Sequence, residues 1–173
     1  MRYIFLIFLA ALFTYTFGSD KAALTDGMYL VVDEIKKGAE NPALNNPFHT
    51  IVDCSFHYKE NDDSGTEKVV VDTSDYVPLV LQYKPNIEKQ SDDRKKIEIS
   101  LTKSASEKLT AFTTSNVQKR VALVIGNEII SMHQIKVPIT SGQLQISYCG
   151  NDMCEILQSK LIKNVDSSNV KTK

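Results

Sequence analysis

Cys54-Ser55-Phe56-His57 has the spacing of a metal-ligand pair, and His49 lies close by, so metal binding is the first chemistry to test. The stretch from His49 to Tyr58 carries Ile51, Val52, Cys54 and Phe56 and reads as a strand with imperfect alternation. On a strand, side chains alternate between faces, so Cys54 and His57 point to opposite sides. His49 and His57 share a face but stand roughly 26 Å apart at the usual rise. No ion is reached by two of these three ligands, and no metal is expected. His133, beside Met132 and Gln134, falls between two expected strands; a lone histidine there can titrate near neutral pH, and a satisfied or solvated ring is its ordinary role. Asp62-Asp63 and Asp92-Asp93 sit in polar turns, where carboxylates are simply solvated. The chain lacks a Gly-x-Ser-x-Gly elbow, a His-Glu-x-x-His pair and a Gly-rich phosphate loop. The reading is therefore non-enzymatic, with no catalytic residue and no cofactor.

The remaining reactive side chains are three cysteines, Cys54, Cys149 and Cys154. Their redox state depends on compartment. Arg2 followed by an apolar run from Tyr3 to Phe17 and then Gly18 has the three-part layout of a secretory signal peptide over residues 1–18. The run is shorter than the roughly 20 residues of a spanning helix, and an uncleaved anchor is the alternative. Export would place the cysteines where disulfides persist. Cys149 and Cys154 flank an expected strand-to-helix junction and are the favoured pair, leaving Cys54 as a buried apolar thiol. Pairing of Cys54 with one of the other two is the competing connectivity.

Charge narrows the partners. The formal net charge is −1, and Arg2 is the only charged residue of the leader, so its removal takes the charge to −2. There is no basic block and no tryptophan, which argues against nucleic acid as a partner.

The elements that would position these residues are short and mostly β. Met28–Ile35 is apolar and β-branched enough for a strand, and Ala39–Pro47, with two prolines and three asparagines, is a surface loop and the expected internal boundary. The His49–Tyr58 strand should pair with Glu67–Asp72 across the turn Asn61–Gly65, making a hairpin. Val77–Tyr83 reads as a separate strand, with Pro78 placing it at an edge. Lys84–Lys96 is polar and reads as a mobile connection, and Ile97–Leu101 alternates as a strand. Ser104 three residues before Glu107 is the arrangement of a capping box, opening a helix whose Ala105, Leu109, Phe112 and Val117 recur at near-helical spacing. Val121, Leu123 and Ile125 then alternate with smaller or polar neighbours, Gly126-Asn127 supplies a tight turn, and Glu128–Ser131 leads back. A closing helix over Asn151–Ile162 carries Met153, Ile156, Leu157, Lys160 and Leu161 as its stripe. From Lys163 the tail, 163–173, lacks an apolar face and reads as disordered. Strands and helices with short links give an α+β fold, an antiparallel or mixed sheet with two helices on one face. The β-rich part 19–94 is expected to join the sheet of part 95–162.

Residues 95–162 resemble the head subdomain of the large periplasmic P1 domain of SecD, the accessory subunit of the bacterial protein-export channel. The family shows a helix, a strand of the type RVAIVLDGKVIS, a segment I..PIT.G.A.IS and a second helix. Here these correspond to Leu101–Gln118, Arg120–Ser131, Ile135–Ser147 and Asn151–Ile162. The matching positions are Arg120, Gly126, Ser131, Pro138, Ile139, Thr140, Gly142, Ile146 and Ser147. The resemblance implies a SecD-head-like fold and a protein or extended polypeptide as partner, Sec translocon components included. It implies a periplasmic or secreted location, with no membrane span once the leader is removed and hence no proton coupling. The Pro138–Gly142 motif reads as a bend that maintains the fold. Two functions remain open: assistance to protein export, and reuse of the fold as an envelope-assembly or secreted interaction factor. Nothing in the sequence sets an oligomeric state.

Overall fold

A computed structural model describes residues 23–55, 64–90, 95–149 and 152–166, with only the backbone of 148 and 149. The leader 1–18, His57, Asp62-Asp63 and Asp92-Asp93 lie outside the described residues.

Five strands close into a barrel in the order β1 (Gly27–Lys36), β3 (Thr66–Pro78), β2 (His49–Cys54), β7 (Glu128–Gln134), β6 (Arg120–Ile125). All neighbours are antiparallel except β2 and β7, which meet in parallel through Asp53↔Glu128 and Cys54↔Ile129. A second sheet has the order β4 (Asn86–Lys89), β5 (Lys95–Ser100), β8 (Gln143–Cys149). Helix α1 (Lys103–Ser115) and helix α2 (Met153–Ile162) complete an α+β architecture of mixed sheets and two helices.

Strand β6 shows why the chain has two cores. Val121, Leu123 and Ile125 face the larger cluster, with Ile97 and Ile99 of β5 and Leu109, Leu157 and Leu161 of the helices. Ala122 and Val124 face the barrel interior, with Tyr29, Val52, Cys54, Val69, Val71 and Ile129. The sequence pattern suggested alternation with a lesser face; instead both faces are buried, as a near-continuous apolar strand requires. Each large aliphatic side chain so enclosed contributes about 1.5–3 kcal/mol.

Several boundaries move from their sequence-based positions, each for a tertiary reason. Helix α1 is capped by Thr102, whose side chain accepts from the Ala105 amide at 3.4 Å, and not by a Ser104–Glu107 box. The segment after β3 dictates this, because Thr102 N–H donates to Val80 C=O at 2.9 Å and the helix starts where that contact ends. Glu107 instead faces Lys103 one turn back. The helix stops at Ser115, and Val117 lies beyond it, exposed. Val77 does not begin a new strand but belongs to β3, which ends at Pro78, and the polar connection 84–96 contains β4, held by Ile87 opposite Ile97 and by Lys96 between Glu88 and Glu98. The buried stripe of α2 is Cys154, Leu157 and Leu161, with Ile156 outside. Residues 164–166, expected to be disordered, are instead held to the fold: Leu81 N–H donates to Asn164 C=O, Asp166 N–H donates to Leu81 C=O, and Val165 packs on the larger core. His133 lies within β7, opposite Val121, because that strand runs on to Gln134.

Candidate functional site

The Pro138–Gly142 motif lies along α1. Ser106, Thr110 and Thr113 stand at i, i+4 and i+7 and so share one helix face. Ile139 N–H donates to Thr113 Oγ1 at 2.9 Å, and Thr110 Oγ1 donates to Ile139 C=O at 3.0 Å. An extended backbone is thus fixed by two threonine hydroxyls, which also bond back to carbonyls four residues earlier. Gly142 comes within reach of Ser106: a Cβ there would lie 2.4 Å from Ser106 Oγ, and its φ of +65° is one glycine adopts at little cost. Gly142 C=O accepts from Leu101 N–H, and β8 leaves from this point. Pro138 and Thr140 are exposed, Ile139 is half-buried, Ile146 is buried opposite Ile97, and Ser147 is paired opposite Lys96. The neighbouring Val137 is 68% exposed, the most open large apolar side chain described.

The β6–β7 turn is a second node. Gly126 and Asn127 have φ of +62° and +66°, the double left-handed pair that a two-residue type I′ hairpin needs. Gly126 N–H donates to Asp26 Oδ1 at 2.7 Å, and Asn127 Oδ1 accepts from Leu24 N–H at 3.1 Å. Asp26, 6% exposed, also accepts from Asn164 Nδ2 through Oδ2 at 2.8 Å, with Lys163 Nζ 3.5 Å away. One carboxylate therefore joins the entry to β1, the central turn and the segment after α2. Arg120 at the other end of β6 pairs with Glu34, and Ser131 sits half-buried opposite Leu123.

The third feature is a concavity of about 410 Å³ at one mouth of the barrel. It exists because β3 is irregular. Opposite β1, the register jumps from Tyr29↔Tyr76 to Leu30↔Asp72, so Thr73, Ser74 and Asp75 bulge outward. Bulges are common at barrel rims and re-aim side chains there. Thr73 folds onto the chain before β2, donating through N–H and Oγ1 to Phe48 C=O. Tyr29 and Tyr76 stack with centroids 4.8 Å apart and planes 7° off parallel. The Tyr29 phenol donates to Thr25 C=O at 2.6 Å, and burial first, then Tyr76 and Asp26, hold its pKa well above the ordinary phenol range. Leu24, Leu44 and Ile51 supply apolar wall, and Lys108 Nζ stands 5.2 Å from the Tyr76 ring centroid.

Of the residues first suspected of metal binding, the two that are described, Cys54 and His49, are not brought together. Cys54 lies in the barrel core, whereas His49 bonds Asn46 at the surface. His133 is at the surface, where partial loss of solvent holds its pKa below the ordinary imidazole value. Cys149 ends β8 and Cys154 is buried in α2. Asp26, the Tyr29–Tyr76 stack and the Thr110–Thr113 pair escaped the sequence reading. The hydroxyls at i, i+4 and i+7 of α1 were a visible stripe; the others required register.

A five-strand barrel and a small three-stranded sheet, with the Pro138–Gly142 motif fixed to α1, define an α+β domain. The family model described as SecDF, P1 head subdomain, matches residues 60–153, more than half of the chain, and the chain belongs to that family. Solved structures are similar too. A SecDF in a super-membrane-facing form shares 17% identity over 80% of this chain and 18% of that chain, with a TM-score of 0.48. A SecDF described as a membrane component that enhances protein export shares 18% over 81% and 63%, TM-score 0.42. The translocon-associated SecDF of Thermus thermophilus shares 13% over 86% and 30%, TM-score 0.37. The chain thus spans less than two thirds of each. No curated protein matches it. No helix among the described residues is long and apolar enough to cross a membrane.

Proposed function

We propose that this chain is an exported, non-enzymatic head-type domain that engages polypeptide in the periplasm and assists protein export. Membership of the SecDF P1 head family carries the reading. In this proposal residues 1–18 are a cleaved leader, the β-rich part 19–94 and the head-like part 95–162 act as one unit, and Sec translocon components are partners alongside extended chains. The small sheet supports the reading, because β4 pairs on one side only among the described residues, and an open edge can accept an extended peptide as an added strand.

The Cys149–Cys154 disulfide belongs to the same proposal. It is supported by Cys54 and Cys154 lying in different cores, which disfavours a bridge between those two. A short loop places the stabilisation toward the lower end of about 2–4 kcal/mol. Thiol alkylation of the denatured, unreduced protein followed by mass spectrometry is expected to label Cys54 alone; labelling of all three refutes the bridge.

Reuse of the fold for one fixed partner has one observation in its favour: β1 and β2, two of the five barrel strands, precede the matched segment 60–153. Photo-crosslinking in the native cell from a probe at exposed Val137 separates the two readings. Capture of export-channel subunits or many unrelated nascent envelope proteins supports the export role. Capture of one defined protein without channel components refutes it and leaves the fixed-partner reading.

A further inference from the structure

We propose that the concavity at the barrel mouth is the seat for one apolar side chain of an extended polypeptide, and that it selects chains carrying a lysine or arginine close to that side chain. The inference rests on the polypeptide-binding reading above and assigns it a site. Volume is the first argument: about 410 Å³ is near the lower end of the roughly 300–1,000 Å³ of ligand pockets, suited to one or two side chains. Chemistry is the second. Leu24, Leu44 and Ile51 oppose the stacked Tyr29–Tyr76 pair, an apolar and aromatic enclosure that gains from burying a leucine or phenylalanine. Thr50 and Thr73 stand among them, so backbone amides of the same peptide meet hydroxyls at the wall.

Charge supplies the third argument and the selectivity. Asp72 lies opposite His49 in the β2–β3 ladder and directly before Thr73, while Asp75 directly precedes Tyr76. Among the described residues Lys108 stands 3.6 Å from Asp75 and over the Tyr76 ring, and His49, on the wall of the seat, faces Asp72. With His49 counted as neutral, the described residues at this edge carry one net negative charge. Rim charges of this kind choose partners more than they hold them. Beyond the Tyr76–Lys108 ridge a smaller hollow of about 220 Å³, lined by Asp75, Lys108 and Phe112 among others, continues the surface. It gives the peptide a direction along which to leave the seat.

The test uses the purified full chain and fluorescein-labelled nonapeptides: one with a central phenylalanine and a lysine two residues away, one with glutamate for that lysine, and one with glycine for the phenylalanine. Fluorescence anisotropy reads affinity, and amide shifts in two-dimensional NMR read location. The lysine peptide is expected to bind about tenfold tighter than the glutamate peptide, with the preference shrinking in high salt, and shifts are expected at Thr50, Thr73 and Tyr76. Asp75→Lys should erase the preference while leaving the phenylalanine requirement. Leu44→Glu, on the exposed loop before β2 and outside both core clusters, should weaken every peptide by about tenfold with an unchanged melting temperature. Binding with shifts elsewhere, indifference to Leu44→Glu, or equal affinity for the phenylalanine and glycine peptides overturns the assigned seat and leaves polypeptide binding standing. Absence of binding by all three peptides overturns both.

Discussion

Asp26→Ala is the most informative stability perturbation. The carboxylate is 4% exposed and accepts from the Gly126 amide at 2.7 Å and from Asn164 Nδ2 at 2.8 Å. Hydrogen bonds to a charged group contribute about 1.5–3 kcal/mol each. Their loss is not additive, since both donors are only part-buried and water can re-solvate them in part, so the expected cost is about 2–4 kcal/mol. For a chain of this size each kcal/mol lowers the melting temperature by about 2–4 °C, which predicts a fall of roughly 5–15 °C. Asp26→Asn should cost about half as much, because its oxygen can still accept from Gly126 and the Asn164 amide can turn its own oxygen toward the new NH₂. Urea denaturation of both variants, with Asn164→Ala alone and combined with Asp26→Ala, measures the coupling directly. Additive losses in that cycle, or an Asp26→Ala variant within 0.5 kcal/mol of wild type, would refute the idea that this carboxylate ties the central turn to the segment after α2.

Three further outcomes follow from the same geometry. Gly142→Ala must push a Cβ against Ser106 and hold alanine at φ +65°, costing about 1–3 kcal/mol; Ser106→Gly in the same chain should recover the steric part but not the backbone part, so a double variant no more stable than Gly142→Ala argues against the contact. Thr113→Val keeps the shape of a fully buried side chain but removes the acceptor of Ile139 N–H, and hydrogen exchange should show that amide opening faster, with a stability loss of about 1–3 kcal/mol; unchanged protection at Ile139 contradicts the clamp. The Ser74 hydroxyl, more than its amide, holds the Asp72 pKa below the ordinary carboxylate value. A folded-state pKa below the unfolded one contributes stability above the unfolded value, and this is lost as pH falls through the folded value. NMR titration should place Asp72 below a free aspartate, and Ser74→Ala should raise it; an unmoved titration refutes the assignment.

Much of the local structure was legible because it depends on neighbours in the chain. Gly126-Asn127 between two apolar runs admits few turns other than a type I′ hairpin, and Ala105, Leu109 and Phe112 mark a helix face wherever that helix packs. The family could be recognised from Pro138–Gly142 and the strand before it for the same reason: the motif is a run of adjacent residues. The α+β class followed from the order of elements. The end points of those elements did not, because Thr102 caps α1 only once Val80 holds its amide, and β4 exists only because Ile97 and Lys96 lie across from it.

What the sequence determined by itself was most of the elements, though not β4 or the reach of β3 through Val77, together with the charge balance and the family motif, all carried by periodicity, composition and spacing within a few residues. What only the tertiary structure decided was which faces are buried and which residues converge. Ala122 and Val124 look like the lesser face of a two-sided strand until the barrel closes around them. Asp26 is one polar residue ahead of β1 until Gly126 and Asn164, 100 and 138 positions away, bring it their donors. The seat at the barrel mouth depends on a slip of register between β1 and β3. Register is set by the summed packing of whole strands, and no local pattern contains it.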